Sequence, residues 1–236
     1  MFLHGALRDS SVLFHWVDAL KDMADTVLLD LLGHGESSPV VPATVEALAA
    51  SVHAALAAII PGRNALLVGE SLGGLVALAV GARGDATPVR AVFAADPPIT
   101  TAKLWQIAVT FVGEMAQNPP GSFVWSLARE VFGITPAGIE ERIHYPIVGA
   151  VGVPAVIATG DVSLLPPREL DRAACLVDQV DRFVIKELYG EAIQIKQIPN
   201  CGHLLLIDAV GPCLEVIRSL LERFVGGLES HSARMQ

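Results

Sequence analysis

Residues 65–74 read Ala-Leu-Leu-Val-Gly-Glu-Ser-Leu-Gly-Gly, and the chain continues Leu-Val-Ala-Leu-Ala-Val through residue 80. The apolar run ending at Gly69 has the length and composition of a strand covered on both faces. The second apolar run, Leu72–Ala82, is long enough for a helix. Between them Ser71 stands in a Gly-x-Ser-x-Gly turn formed with Gly69 and Gly73. A strand that reverses into a helix through one residue holds that residue in a strained conformation, with its side chain at the strand's C-terminal end. Glycines two positions to either side remove side chains that would strike the neighbouring strand or helix. The helix that begins here aims its free N–H groups and dipole at the same point, which favours negative charge developing there. Ser71 is therefore the candidate nucleophile.

On either side the same alternation repeats. Residues 1–3 form a strand stub ending at His4-Gly5. Helical spacing covers 12–24, and Thr26–Leu31 (TVLLDL) is a short buried strand. Pro42–Ile60 is an Ala-rich helix with Thr44 as cap, stopped by Pro61-Gly62. Strands are expected at 89–95, 153–159 and 193–198, and helices within 167–188 and over 209–225. Strands separated by helices give an α/β fold, a doubly wound and mainly parallel sheet of about six strands. The long interval between the strands at 89–95 and 153–159 breaks this rhythm. It holds Trp105, Phe111, Met115, Phe123, Trp125 and Phe132, with breaks at Asn118–Gly121 and Gly133. The expected organisation is a core of 1–98 and 149–226, a helical lid inserted at 99–148, and a loose polar tail at 227–236.

A serine hydroxyl needs a base to take its proton, and an imidazole titrates in the right range. Of the chain's seven histidines, only His203, in Asn200-Cys201-Gly202-His203, sits in a loop after a late strand. The C-terminal loops of parallel strands converge on one edge of a sheet, which brings His203 toward Ser71. A carboxylate should fix the imidazole's tautomer. Asp161, after the strand ending in Gly160, and Asp96, after the strand ending in Ala95, both lie at that edge, and Asp161 is the preferred of the two. An oxyanion intermediate needs two fixed donors. The N–H of Leu72 supplies one, and the loop His4-Gly5-Ala6 supplies the other, most naturally from Ala6. Gly5, Glu70, Trp105, Phe111 and Trp125 are the expected substrate contacts.

Composition narrows the alternatives. Hydrophobic residues make up 52% and charged residues 17% of the 236, so a large core is available. The 25 acidic residues outnumber the 16 basic ones, and no basic cluster exists to bind a phosphate backbone. The longest stretches without Asp, Glu, Lys or Arg, 47–62 and 143–160, are interrupted by His, Pro or Gly. Neither supplies the roughly 20 apolar residues of a spanning helix. Cys175, Cys201 and Cys213 are too few for a disulfide framework, and no leader precedes the first strand, so a cytoplasmic location is expected. No His-Glu-x-x-His, zinc-type spacing or nucleotide-binding Gly-x-Gly-x-x-Gly is present, so no metal or cofactor is expected.

Taken together, His4-Gly5, Asp30-Leu31-Leu32-Gly33-His34-Gly35-Glu36-Ser37, Gly69–Gly74 and Gly202-His203 stand in the order and spacing of the α/β-hydrolase superfamily. The chain resembles that family from residue 2 to about 225. The resemblance implies Ser71 as nucleophile, His203 as base, Leu72 and Ala6 as oxyanion donors, and Gly33-His34-Gly35 as a structural turn. A serine in place of an aspartate at the turn argues against the dehalogenase and epoxide-hydrolase branches. There are two departures. Members commonly carry the acid three residues past the glycine that closes its strand. Here that position is Ser163, and Asp96 occupies the family's other acid position. Members also commonly open with an antiparallel pair of strands, whereas this chain begins at the oxyanion loop. That start reads either as a minimal form or as a start codon placed too late. It leaves 26–31 as an open apolar edge through which a homodimer could pair. The expected activity is hydrolysis of a carboxylic ester of a small to medium apolar substrate through an acyl-enzyme on Ser71. Thioester, lactone and carbon–carbon bond hydrolysis on the same residues remain alternatives, as does a non-catalytic ligand-binding role.

Overall fold

The computed structural model describes residues 1–84, 87–165 and 172–226. In chain order the elements are β1 (Phe2–Leu3), α1 (His15–Leu20), β2 (Leu28–Leu29), α2 (Val45–Ile59), β3 (Ala65–Glu70), α3 (Leu72–Gly81) and β4 (Val89–Ala95). They continue with α4 (Trp105–Gln117), α5 (Phe123–Phe132), the hairpin β5 (Ile134–Thr135) and β6 (Gly138–Ile139), and α6 (Tyr145–Gly149). The chain closes with β7 (Ala155–Thr159), α7 (Gln179–Tyr189), β8 (Ile193–Gln197), α8 (Leu205–Asp208) and α9 (Val210–Leu220). The main sheet has six strands in the order β2-β1-β3-β4-β7-β8, and every pairing is parallel. The expected doubly wound sheet is present, and β3, which leads into Ser71, lies in its interior.

The central strands explain the apolar excess. All six residues of β3 are buried. Ala65 and Leu67 join one apolar group with α2 and α3, while Leu66 and Val68 join a second group with Trp16, Ile217 and Leu220 on the opposite face. In β4, Val92 and Ala94 face the first group, and Ala91, Phe93 and Ala95 face the second. This is the two-residue period of a strand serving two cores at once. Each large apolar side chain so buried contributes about 1.5–3 kcal/mol. Helix α2 buries Val45, Leu48, Val52 and Leu56 along one stripe, and Thr44 caps it by accepting the Ala47 N–H at 3.2 Å.

Several boundaries differ from expectation. TVLLDL pairs only over Leu28–Leu29. Asp30 turns the chain away by accepting the N–H groups of Ser10 and Glu36, and the Leu31 N–H goes to Nε2 of His4. A two-residue edge strand presents little backbone for another chain to pair with. The expected helix at 12–24 is a 3-10 turn, Ser10–Leu13, followed by the short α1. The helix expected within 167–188 is α7, and residues 166–171 lie outside the described residues, as does the expected tail at 227–236. The last expected helix, 209–225, is α9 followed by a wider turn at Leu221–Val225, and the short α8 precedes it. Among the described residues, no helix is long and apolar enough to cross a membrane.

The 99–148 segment packs tightly onto the core. Leu127, Ala128 and Val131 of α5 are fully buried in the same apolar group as α2 and α3. The Ala43 N–H donates to Oγ of Ser126 at 2.8 Å. At the start of the segment, the buried carboxylate of Asp181 accepts from Thr100 Oγ1 at 3.0 Å and Tyr145 Oη at 2.7 Å, and it pairs closely with Lys103. This network ties α7 to the segment on both sides of α4 and α5. Removing one member of a buried charge network leaves the others unpaired. Asp181→Ala is expected to lower unfolding stability by about 3 kcal/mol. Urea denaturation beside Asp178→Ala, whose carboxylate is more exposed, tests this. Equal small losses would contradict the assignment.

Candidate active site

Ser71 occupies the junction of β3 and α3 with φ 57° and ψ −120°, a conformation that few non-glycine residues adopt. Its N–H is held by the Ala95 carbonyl at 2.8 Å. The flanking glycines are required by contact. A Cβ on Gly69 would run into the Gly73 carbonyl, and one on Gly73 would run into the Leu3 carbonyl of β1 and the His4 carbonyl just after it. Gly73→Ala is therefore expected to cost about 2–3 kcal/mol of stability. By displacing Ser71 it should also lower turnover about 100-fold in the fraction that remains folded. Thermal melts paired with active-site titration measure both effects, and unchanged turnover would rule out the packing account.

His203 and Asp96 meet through a short hydrogen bond. Nδ1 of His203 lies 2.7 Å from Oδ2 of Asp96. Asp96 is fully buried, with φ 47°, and both of its oxygens are saturated. Oδ2 also accepts the Leu176 N–H at 2.7 Å, while Oδ1 accepts the Val177 N–H at 3.0 Å and Thr159 Oγ1 at 2.8 Å. The structure does not bring Asp161, the acid preferred from sequence, to His203. Its oxygens accept the N–H groups of Asn200 and Cys201 at 2.9 and 3.1 Å. Those bonds hold the Asp161 carboxyl below its ordinary pKa, the Asn200 bond most strongly. Asp161 thus fastens the turn that presents His203, and Asp96 contacts the imidazole itself.

Ser71 and His203 line one cleft of about 140 Å³. Gly5, Ala6, Leu7 and Arg8 form one wall. A Cβ on Gly5 would touch Cβ of Ser71 at 3.4 Å, so this loop passes directly beside the serine. Leu72 opens α3, and an N–H in a helix's first turn has no partner within the helix. Ile107, Thr110 and Phe111 of α4, with Phe132 of α5, form the opposite wall, and Leu204 completes it. Of the expected substrate contacts, Gly5, Glu70 and Phe111 line the cleft. Trp105 and Trp125 do not. Trp105 stands half-exposed at the start of α4, and Trp125 donates its indole N–H to the Met115 and Asn118 carbonyls at 3.0 Å, joining α5 to the end of α4. Arg8, Leu7, Ile107, Thr110, Phe132 and Leu204 were not anticipated. The signal for the helical ones was available, since Ile107, Thr110 and Phe111 recur at the spacing of one helix face.

Several other polar groups lie near the cleft. Glu70 is buried, and Oε2 accepts the Leu206 N–H at 2.9 Å in the loop after His203. Burial raises its pKa above the ordinary carboxylate range. His4 is buried, with Nδ1 2.7 Å from the Gly5 carbonyl and Nε2 accepting from Leu31, which braces the Gly5–Ala6 loop. His34 packs edge-on against His4 and Phe123, and burial lowers its pKa to about 4, as suits a neutral ring in a structural turn. Burial pushes the Cys201 thiol up to about 11, so it is a poor nucleophile. Among the described residues, no group of three or more His, Cys, Asp or Glu side chains is placed to hold a metal ion.

A family model described as the alpha/beta hydrolase family matches residues 1–215. A pimeloyl-[acyl-carrier protein] methyl ester esterase from Xanthomonas campestris pv. campestris is 32% identical over 253 aligned positions, which cover 97% of this chain and 95% of that protein. Among solved structures, an E-2-(acetamidomethylene)succinate hydrolase superposes with a TM-score of 0.69 at 18% identity, covering 94% of this chain and 90% of that one. A lipase-esterase related protein from Clostridium acetobutylicum superposes with a TM-score of 0.68 at 19% identity, covering 93% and 92%. At such identities the structural likeness speaks to fold.

Proposed function

The chain belongs to the α/β-hydrolase family, and from that premise we propose that it is a serine hydrolase of carboxylic esters with a small to medium apolar substrate. In this reading Ser71 Oγ attacks the ester carbonyl as Nε2 of His203 takes its proton. Asp96 holds the ring through Nδ1 and balances the imidazolium. The N–H groups of Leu72 and Ala6 bind the oxyanion. Collapse of the tetrahedral intermediate expels the alcohol, which receives the proton from His203. Water, activated by the same imidazole, then releases the acid from Ser71. The observation that carries the reading is a left-handed Ser71 sharing one small cleft with an imidazole whose other nitrogen is engaged by a buried carboxylate.

The apolar wall of Ile107, Phe111 and Phe132 supports an apolar substrate, and the 99–148 segment acts as a fixed roof over the serine. Thioester, lactone and carbon–carbon bond cleavage would use the same three side chains. The ester is preferred because the 32%-identical relative is a methyl ester esterase. A fluorophosphonate probe should label the protein on Ser71, and p-nitrophenyl butyrate should give a burst of one equivalent. Folded protein that neither labels nor hydrolyses any of a panel of esters, thioesters and lactones would instead fit a ligand-binding role.

A further inference from the structure

Arg8 is the one cation among the described residues that line the cleft. Its sole ion pair among those residues is with Glu70, where Nη1 and Oε1 are 3.6 Å apart, longer than a hydrogen bond. The other oxygen of Glu70 is committed to the Leu206 N–H, so the carboxylate does not meet the guanidinium fork with both oxygens. A third of the Arg8 side chain is exposed, and the residue lies three positions beyond Gly5, which touches Ser71. Around it the walls are Leu7, Leu204, Ile107 and Phe111. A guanidinium matches a carboxylate with two parallel N–H donors, and low-polarity walls strengthen such a contact. A mainly apolar pocket with a few placed polar groups is also the usual means of fixing a ligand's orientation.

We propose that Arg8 is a specificity-determining residue that receives a carboxylate on the substrate, so that the preferred ester is anionic, a half-ester of a short dicarboxylic acid. This rests on the ester-hydrolase reading. A carboxylate fits better than a phosphate because Glu70 stands beside the guanidinium and repels a dianion more strongly.

The test separates binding from turnover. In the Ser71→Ala protein, monomethyl glutarate is expected to bind about tenfold or more tightly than dimethyl glutarate by calorimetry. Adding Arg8→Gln should erase that ratio, and Arg8→Lys should restore part of it. In the enzyme with Ser71 intact, Arg8→Gln should reduce the ratio of kcat/KM for the two esters by a similar factor, expressed mainly in KM. Equal affinity for the two esters, or discrimination that survives Arg8→Gln, would overturn the proposal. The carboxyl methyl ester of phosphonobutanoic acid, with its free phosphonate in place of the glutarate carboxylate, serves as the dianionic arm, and its tighter binding would also count against a carboxylate. Hydrolysis of p-nitrophenyl acetate by the unmodified protein tests the ester-hydrolase reading by itself, so the two failures are distinguishable.

Discussion

Ser71→Ala should lower kcat on a short p-nitrophenyl ester by roughly 10⁴- to 10⁶-fold while the protein stays folded. In the proposed mechanism the substitution removes the one oxygen that forms the acyl bond. It leaves His203, the proposed Leu72 and Ala6 donors and the cleft walls in place, so a residual rate above water is expected from those alone. Folding should be preserved because alanine meets the same left-handed backbone as serine, and the Ser71 N–H bond to Ala95 does not involve the side chain. The comparison requires matched melting curves and the complete loss of fluorophosphonate labelling. A variant keeping more than about a thousandth of the activity would move the nucleophile elsewhere.

Asp96→Asn should lower turnover about 10³- to 10⁴-fold. An asparagine offers one oxygen where aspartate offers two, and all four donors around Asp96 cannot be served by it. If its oxygen keeps Val177 and Thr159, its amide group faces the Leu176 N–H and Nδ1 of His203. The ring must then turn its lone pair to that amide and carry its proton on Nε2, the position where the base is needed. One unpaired buried N–H adds a stability cost of about 1–3 kcal/mol, so rates must be read well below the melting transition. Asp161→Asn should have a far smaller effect on turnover, about tenfold or less, through loosening of the Asn200–Cys201 turn. Collapse of Asp161→Asn beside a fully active Asp96→Asn would reverse the roles.

The sheet, the serine turn and the histidine loop were legible because each is written locally. An apolar run flanked by glycines has few ways to fold, and the loops of parallel strands share one edge. The choice between Asp96 and Asp161 was not legible for the same reason. Both follow a strand of that sheet, and both can cap a turn. What separates them is tertiary. Thr159, Leu176 and Val177 come from other parts of the chain to saturate Asp96, while Asn200 and Cys201 consume Asp161. The aromatic residues of 99–148 were read as a set, but burial divides them. Phe111 and Phe132 pack with tilted rings 4.9 Å apart and line the cleft, whereas Trp125 bolts two helices together. A lone arginine in a loop, such as Arg8, carries no sequence pattern. Only its position beside Ser71 gives it meaning.

Four residues other than glycine adopt a positive φ among the described residues, namely Leu7, Ser71, Asp96 and Asn200. Leu7 and Ser71 line the cleft, Asn200 lies in the loop that carries His203, and Asp96 bonds the His203 ring. A left-handed backbone at such a residue costs of order 1 kcal/mol. The consequence is a conflict between shelf life and turnover. Selection for heat resistance alone would gain soonest by relaxing these loops, with glycine or asparagine at position 7 among the first gains. Every such gain would slacken the alignment of the proposed serine, imidazole, carboxylate or oxyanion donor. Variants chosen for durability should therefore be the slower catalysts, and a screen that reads only melting temperature would lead away from the working enzyme.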